Sequence, residues 1–218
     1  MIRSRVSLVK ALLARGVAPS QIITHLQVRK ALQNCRSVLD VGCGSDSALS
    51  LFGFERLVGI EGYAPSVEKA KQNRTHHDLV LGDVRSLERY FKAGQFDCCA
   101  ALDLIEHLTK EDGLRLVQAM EQIASLKVLI LTPNGFLPQR RAEQTDLQEH
   151  LSGWGTSEMR QLGYHVTGAL GPKAFRGQYH RLKWKPAGFW GVLSLLGHYI
   201  YTRWVPSKSA AILCVKRK

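Results

Sequence analysis

Apolar and polar positions along the chain alternate between two periods, one typical of strands and one typical of helices. Short apolar runs bounded by glycine, proline or charged residues predict five β-strands, which lie at 37–41, 57–60, 78–84, 96–104 and 127–131. Helical periodicity in the intervals predicts helices at 65–74, 86–92 and 111–124. Because strands that alternate with helices join through right-handed crossovers, the pattern predicts an α/β fold, a doubly wound sheet with helices on both faces.

The two ends of the chain extend this arrangement. Helices are predicted before the first strand at 4–15 and 19–34, with the second one starting at a proline. Three more elements follow the fifth strand: a helix at 156–162 and strands at 164–170 and 209–215. No segment has the composition of a linker, so we expect one seven-stranded domain over 1–218.

The charge is unevenly distributed along the 218 residues. Lys and Arg number 30 against 18 Asp and Glu, which gives a net charge of +12 and a pI near 9.7. Segment 1–36 contains seven basic and no acidic residues, segment 171–218 ten basic and no acidic residues, and 37–170 has a net charge of −5. Two basic ends around an acidic centre indicate an anionic partner, such as a nucleic acid, a membrane surface or a phosphorylated substrate.

Cysteine usage and the N-terminus indicate the compartment. The five cysteines show no C-x-x-C pair and lie mostly in apolar runs: Cys35, Cys43, Cys98, Cys99 and Cys214. This pattern excludes a disulfide framework and a zinc site and predicts buried thiols in a reducing cytoplasm. Lys10 and Arg15 interrupt the apolar core that a signal peptide needs. We therefore expect a cytoplasmic protein.

A glycine loop ends the first predicted strand, with the sequence Asp40-Val41-Gly42-Cys43-Gly44. Glycines at this edge of a doubly wound sheet let a ligand approach the backbone closely. A dinucleotide loop needs a third glycine where Ser47 stands, and a Walker loop needs G-K-[ST], which is absent. An NAD-dependent oxidoreductase and a non-catalytic nucleotide-binding module stay open as alternatives.

Five motifs in order across 37–135 carry a resemblance to class I S-adenosylmethionine (SAM)-dependent methyltransferases, in particular to a bacterial group with E-H-L and H-L-S-G-W motifs. They are Val38-Leu39-Asp40-Val41-Gly42-Cys43-Gly44, Val58-Gly59-Ile60-Glu61-Gly62, Gly82-Asp83-Val84, Ala101-Leu102-Asp103-Leu104-Ile105-Glu106-His107-Leu108 and Leu131-Thr132-Pro133-Asn134-Gly135. The resemblance implies SAM as methyl donor, S-adenosylhomocysteine as product, and an antiparallel last strand. It divides the chain into N-terminal helices packing over the cofactor edge (1–36), a cofactor-binding core (37–135), an acceptor-side region (136–170), a basic aromatic insertion (171–208) and the last strand (209–218).

The resemblance also implies the cofactor contacts. These are Asp40, Gly42, Cys43, Gly44, Glu61, Gly62, Asp83, Val84, Leu102 and Asp103. Glu61 is implied to bind both ribose hydroxyls, Asp83 to meet the adenine amino group, and the Leu102 backbone to contact the methionine part.

Candidate catalytic residues follow the fourth and fifth strands. Histidine has a pKa near neutrality, so His107 and His150 are candidate bases for a hydroxyl acceptor, with Glu106 beside them. Asp103, Glu106 and His107 have the i, i+3, i+4 spacing of a ligand set that His150 could complete. The set resembles the Mg²⁺ site of small-RNA 3′-end 2′-O-methyltransferases, although Asp103 stands where those enzymes have Glu. The same E-H pair occurs in methyltransferases of small molecules, so the metal stays open.

The insertion 171–208 combines basic and aromatic residues. Its stretch 187–202 has no Asp, Glu, Lys or Arg, but sixteen residues are short of the roughly 20 of a membrane-spanning helix. We expect either a cap over the acceptor pocket or peripheral membrane contact through 184–204.

The expected acceptor is a hydroxyl, or another nucleophile, on a small anionic or lipid-linked molecule. RNA is the second candidate, because no RRM, KH or helix-turn-helix signature is present. The loop 144–154 is predicted to act as a lid, with Trp154 either stacking on the acceptor or packing in the core.

Overall fold

A computed structural model of the chain describes residues 5–138, 149–177 and 182–218. The helices are α1 (Arg5–Ala14), α2 (Pro19–Ala31), α3 (Ala64–Gln72), α4 (Lys110–Ile123), α5 (Thr156–Gln161) and α6 (Ala187–Gly197). The strands are β1 (Ser37–Val41), β2 (Arg56–Glu61), β3 (Asp78–Leu81), β4 (Phe96–Leu102), β5 (Ala124–Pro133), β6 (His165–Pro172) and β7 (Ser209–Arg217).

The seven strands form one sheet in the order β3-β2-β1-β4-β5-β7-β6. The first five pair in parallel, and β7 runs antiparallel to both of its neighbours. The predicted fold class is therefore confirmed, including seven strands, a mostly parallel sheet and an antiparallel last strand.

Both faces of the sheet are covered, as the continuous apolar runs predict. Leu39 and Val41 of β1 pack on one side in a core that includes residues of α4. Val38 packs on the other side, in a core that includes Leu8 and Leu12 of α1 as well as residues of α2. Because β1 is buried from both directions, it tolerates few polar side chains, and Asp40 stands out among its residues.

Two predicted elements around the third strand are wrong. Strand β3 ends at Leu81, and the helix predicted at 86–92 is a 3₁₀ turn at Val84–Arg89 that contains a non-helical residue, Ser86, with φ −134° and ψ 47°. The reason lies in Asp83, whose side chain accepts a hydrogen bond from the Arg85 amide and so turns the chain directly after the strand.

The insertion leaves the sheet and returns to it at one edge. Strand β6 ends at Pro172 and the antiparallel β7 begins at Ser209, so both boundaries lie where the parallel strands end. The buried amide Nδ2 of Asn134, directly after β5, donates to the carbonyls of Pro206, Ser207 and Ser209 at 3.0, 3.1 and 2.9 Å. The return point of the insertion is thereby fixed beside the end of β5.

The π-helical turn that follows α6, His198–Thr202, packs against β6 too closely to leave room for a side chain at Gly168. A Cβ there would overlap the carbonyl of Thr202 and lie 3.0 Å from Cβ of Ser209. We expect Gly168→Ala to lower the free energy of unfolding by about 1–3 kcal/mol, because overpacking forces the backbone to shift. Urea denaturation measures this change. Gly188→Ala is the matched control, since no atom lies within 4 Å of its added Cβ; equal stability of the two variants would contradict the packing.

Candidate active site

A cavity of about 430 Å³ lies at the carboxyl end of β1. Helices α1 and α2 and the loop between them cover it with Leu12, Arg15, Val17 and His25, as the sequence predicts for the N-terminal helices. From the sheet side, six of the predicted cofactor contacts line it: Asp40, Gly42, Cys43, Gly44, Leu102 and Asp103. The other four, Glu61, Gly62, Asp83 and Val84, lie outside this cavity.

Gly42 and Gly44 share a backbone conformation that favours glycine, but a side chain would meet different surroundings at each. Gly42 and Gly44 have φ of +67° and +58°, a left-handed conformation that side chains disfavour. A Cβ on Gly42 would lie 2.6 Å from Cδ1 of Leu104, whereas a Cβ on Gly44 would meet no atom within 4 Å. Gly42 is therefore required by protein packing, and Gly44 leaves open backbone toward the cavity.

Asp40 is held by a histidine that the sequence analysis missed. Its buried carboxylate lies 3.1 Å from Nε2 of His76, which is itself buried, and Nδ1 of His76 lies 2.8 Å from the hydroxyl of Thr75. A carboxylate only accepts hydrogen bonds, so Nε2 carries the proton. His76 follows α3 and has no motif spacing to Asp40, so only the folded structure connects them.

Glu61 links the ends of β1 and β2. Its Oε2 accepts a hydrogen bond from the amide of Gly44 at 2.9 Å, and its Oε1 accepts one from the amide of Tyr63 at 2.9 Å. The carboxylate therefore borders the cavity through Gly44, and two backbone donors fix its orientation. Gly62 follows, and an added Cβ there would make only an ordinary contact, 3.7 Å from the carbonyl of Gly82.

Asp83 is exposed and forms an ion pair with Arg85. Nε of Arg85 lies 3.0 Å from each carboxylate oxygen, and Nη2 lies 2.7 Å from Oδ2. These hydrogen bonds hold the pKa of Asp83 below its usual range. Next to it, the half-exposed ring of Tyr90 covers Gly82, where an added Cβ would lie 2.7 Å from Cζ. Tyr90 supplies a flat aromatic surface at this end of the sheet that no motif indicated.

Asp103 turns the chain after β4 in a left-handed conformation, with φ of +51°, which Asp tolerates better than most residues. Its amide donates to the carbonyl of Leu131 at 2.8 Å and ties this turn to β5. The side chain is accessible from the cavity, but the protein atoms packed around the carboxyl raise its pKa to about 6.

Glu106, His107 and His150 form a cluster beyond that turn. One ligand atom from each lies within 4.8 Å of those from the other two. Glu106 is buried and accepts a hydrogen bond from the Thr132 hydroxyl at 2.9 Å. Burial, followed by the negative charge of Asp103, raises the pKa of Glu106. Of the four residues in the predicted metal set, Asp103 does not join this cluster and lines the cavity at the end of β1 instead.

Backbone carbonyls fix the tautomer of both histidines. Nδ1 of His107 lies 3.1 Å from the carbonyl of Glu149, and Nδ1 of His150 lies 2.7 Å from that of Leu137. A carbonyl only accepts, so each Nδ1 carries a proton and each Nε2 keeps its lone pair. Burial lowers the pKa of both imidazoles, and in His107 the nearby His150 lowers it further. Both rings are neutral bases near pH 7.

Hydrogen bonds join the H-L-S-G-W segment to the 3₁₀ turn after β4, Ile105–His107. The amides of Leu151 and Ser152 donate to the Glu106 carbonyl at 2.8 and 3.1 Å. The indole of Trp154 is fully buried and donates to the Ile105 carbonyl at 3.2 Å. Trp154 is therefore a core residue and does not stack on an acceptor. Of the predicted lid, positions 144–148 lie outside the described residues.

Comparisons with known proteins agree with this architecture. Residues 39–131 match the family described as "Methyltransferase domain". No curated protein is similar enough in sequence to count as a match.

Solved structures extend the similarity over most of the chain. The methyltransferase domain of bacterial CtHen1 superposes with a TM-score of 0.54 at 19% identity, over 91% of this chain and 98% of that one. The plantazolicin methyltransferase BamL gives a TM-score of 0.56 at 16% identity, over 91% and 83%. A SAM-dependent methyltransferase from Archaeoglobus fulgidus gives 0.54 at 14% identity, over 91% and 95%. At these identities the superpositions establish the fold.

The fold is thus that of class I methyltransferases. The match of 39–131 to the methyltransferase-domain family, together with this fold, supports a SAM-dependent methyltransferase.

Glu61 allows a direct test of cofactor binding. We expect Glu61→Gln to weaken S-adenosylhomocysteine binding about ten- to a hundredfold, because the amide loses the charge that strengthens hydrogen bonds to ribose hydroxyls. The measurement is the rise in melting temperature that the ligand confers, which falls with affinity. Glu55→Gln is the control, since Glu55 is exposed and pairs with Arg36 at the surface. An unchanged ligand-induced rise in Glu61→Gln would contradict the role of this carboxylate.

The histidine tautomers are also testable. Long-range ¹H–¹⁵N spectra of the metal-free protein at pH 7.5 should show both His107 and His150 protonated at Nδ1, because each Nδ1 faces a carbonyl. A proton on Nε2 of either ring would contradict the hydrogen bonds described above.

Proposed function

We propose that the protein transfers a methyl group from SAM to a hydroxyl of a small anionic or lipid-linked acceptor at the Glu106–His107–His150 cluster. The observation that carries the proposal is the pair of neutral imidazoles, each with its Nε2 lone pair available, beside a buried carboxyl. Glu106 and His107 follow Asp103, which lines the cavity, by three and four residues, and His150 joins them from a separate segment. Donor and base therefore belong to adjoining parts of one sheet edge.

The residues around the cavity suit SAM. Bound SAM supplies an electrophilic methyl on a sulfonium, which an acceptor oxygen takes by in-line displacement. Open backbone at Gly44 accommodates the methionine part, and the oriented carboxylate of Glu61 offers acceptors for a vicinal diol. The carboxyl of Asp103 lies beside the cavity, and the protein atoms packed around it raise its pKa to about 6. A positive charge in the cavity would lower this pKa.

The cluster suits proton removal from the acceptor. A hydroxyl must lose its proton as its oxygen is methylated, and Nε2 of His107 or His150 accepts it. The Nδ1–H of each ring donates to a fixed carbonyl, which holds the imidazole in orientation while its charge changes. The two rings lie at a centroid distance of 4.8 Å, and hydrogen bonds from the amides of Leu151 and Ser152 to the Glu106 carbonyl hold the segment after His150 in place.

The same three side chains fit a divalent cation. Two imidazoles whose second nitrogen is tied to a carbonyl, together with one carboxylate, form a donor set known for transition metals. Glu106, His107 and His150 would hold the ion, which would lower the pKa of a bound hydroxyl. Because Mg²⁺ prefers an all-oxygen shell, this set favours Mn²⁺ or a similar ion over Mg²⁺.

RNA is a second candidate acceptor. The observation that favours it is the suitability of the Glu106–His107–His150 cluster for a divalent cation. A terminal ribose presents two vicinal hydroxyls that a metal could hold together, and the basic flanks of the chain suit phosphate contacts. In that case the reaction is 2′-O-methylation at an RNA end.

Methyl transfer from radiolabelled SAM to lipid, small-molecule and RNA fractions tests the proposal. We expect His107→Ala and His150→Ala to lower the transfer rate about 10²- to 10⁴-fold while S-adenosylhomocysteine still binds, because both changes spare the cavity. His165→Ala, at an exposed position of β6, should transfer normally. Full activity of the cluster variants would contradict the proposal.

The metal and acceptor questions are resolved in the same assay. Loss of transfer with EDTA and recovery with Mn²⁺ would support a bound cation, and unchanged rates with EDTA would leave the histidines as bases alone. Label recovered in RNA, with none in the lipid and small-molecule fractions, would overturn the proposed acceptor in favour of the second candidate.

A further inference from the structure

Helix α6 is turned with its apolar side outward. Together with the following π-helical turn at His198–Thr202, it exposes an apolar row that we call the outer face. The outer face consists of Phe189, Val192, Leu196, Tyr199 and Ile200, which are exposed by 58, 57, 49, 48 and 76%. Surface helices of globular proteins usually show the opposite arrangement, with the apolar side inward. The outer face contacts no core in the described part of the chain.

The inner side of the same helix is polar and buried. Ser194, His198 and Thr202 recur every four residues and are exposed by 1, 3 and 0%. Nη2 of the buried Arg176 lies 3.4 Å from the Ser194 hydroxyl, and the Thr202 hydroxyl donates to the carbonyl of Gly197 at 3.4 Å. Burial, together with the charges of Arg203 and Arg176, lowers the pKa of His198 to about 4, so this side chain is neutral.

Close backbone contacts fix the helix in this orientation. At Gly171 of β6, an added Cβ would overlap the Ser194 hydroxyl and lie 2.6 Å from the Ser194 carbonyl, and Gly168 lies equally tightly against Thr202. Rotating the helix to bury the outer face would bring bulky side chains against these glycines. The apolar row therefore stays outward, and the folded chain itself gives it no cover among the described residues.

The surroundings of the outer face indicate an anionic lipid surface. Segment 171–218 contains no acidic residue, and Lys183, Lys185 and Lys208 are exposed around α6. Trp184 and Trp204, exposed by 42 and 73%, flank the row, and Trp and Tyr favour the boundary between lipid and water. A second copy of the chain would bring another acid-free face, which repels. An anionic bilayer offers the complementary charge together with apolar depth.

The length of α6 and the positions of the two ends of the insertion determine how α6 would lie relative to a bilayer. In the part of the chain that the structure describes, no helix has both the length and the apolar character required to cross a bilayer. Both ends of the insertion join one edge of the sheet, at Pro172 and Ser209. A crossing would separate these two strands, so α6 lies in the plane of the interface.

We infer that the outer face of α6 docks the enzyme on an anionic membrane surface. The insertion emerges from the carboxyl edge of the sheet, where the cavity and the histidine cluster also lie. Building on the proposed function, this favours an acceptor that is itself held in the membrane, such as a lipid-linked hydroxyl. The docking itself needs neither SAM nor a metal.

Flotation of the full chain with liposomes tests this inference. The probe is vesicles of phosphatidylcholine with about a third phosphatidylglycerol. We expect the wild type to float with these vesicles at low salt, less at high salt because charge attraction is screened, and hardly with phosphatidylcholine alone. Val192→Ser with Ile200→Ser should lower the partition coefficient at least about tenfold, because two side chains lose their apolar insertion.

Matched variants separate docking from folding and from catalysis. Val6→Ser with Leu13→Ser changes two exposed apolar residues of α1 and should float like the wild type. The Val192→Ser, Ile200→Ser variant should bind S-adenosylhomocysteine normally. Failure of the wild type to float at low salt, or undiminished flotation of the outer-face variant, would overturn the inference. So would a wild-type dimer that this variant abolishes, because it would show a second copy on the outer face.

Discussion

The parallel pairing of β1 to β5 brings acidic residues from separate parts of the chain to one edge of the sheet. Negative charges that lie close together repel each other. Burial raises the free energy of an ionised carboxylate further, unless the carboxylate has a hydrogen-bond or ion-pair partner. Asp40, Glu61 and Asp83 each have one. His76 binds Asp40, two backbone amides bind Glu61, and Arg85 binds Asp83.

Asp103 and Glu106 are the described acids at this edge whose pKa values are raised. Asp103 lines the cavity, and Glu106 belongs to the histidine cluster. A positive charge that binds near such a carboxyl stabilises its ionised form. The donor's sulfonium and a divalent cation both carry such a charge. The electrostatics of the edge thus fit the chemistry proposed for it, and the neutral imidazoles beside it suit the removal of a proton.

The sequence predicts the fold and the glycine loop at the end of β1 well, because both depend on local signals. Strand runs, helical periodicity and the Gly42–Gly44 spacing are visible within a few residues of each other. Contacts between distant segments carry no such signal, which is why His76 and the Arg85 partner of Asp83 were missed and Trp154 had two interpretations. The apolar character of 187–202 is visible in the sequence, but its outward orientation depends on Gly168 and Gly171 of β6.

Calorimetric titration of the wild-type protein with S-adenosylhomocysteine tests the central claim most directly, namely that this edge of the sheet binds the methyl donor. The account predicts saturable heat with a stoichiometry near one ligand per chain. A titration without binding heat, together with an unchanged melting temperature at saturating ligand, would contradict it.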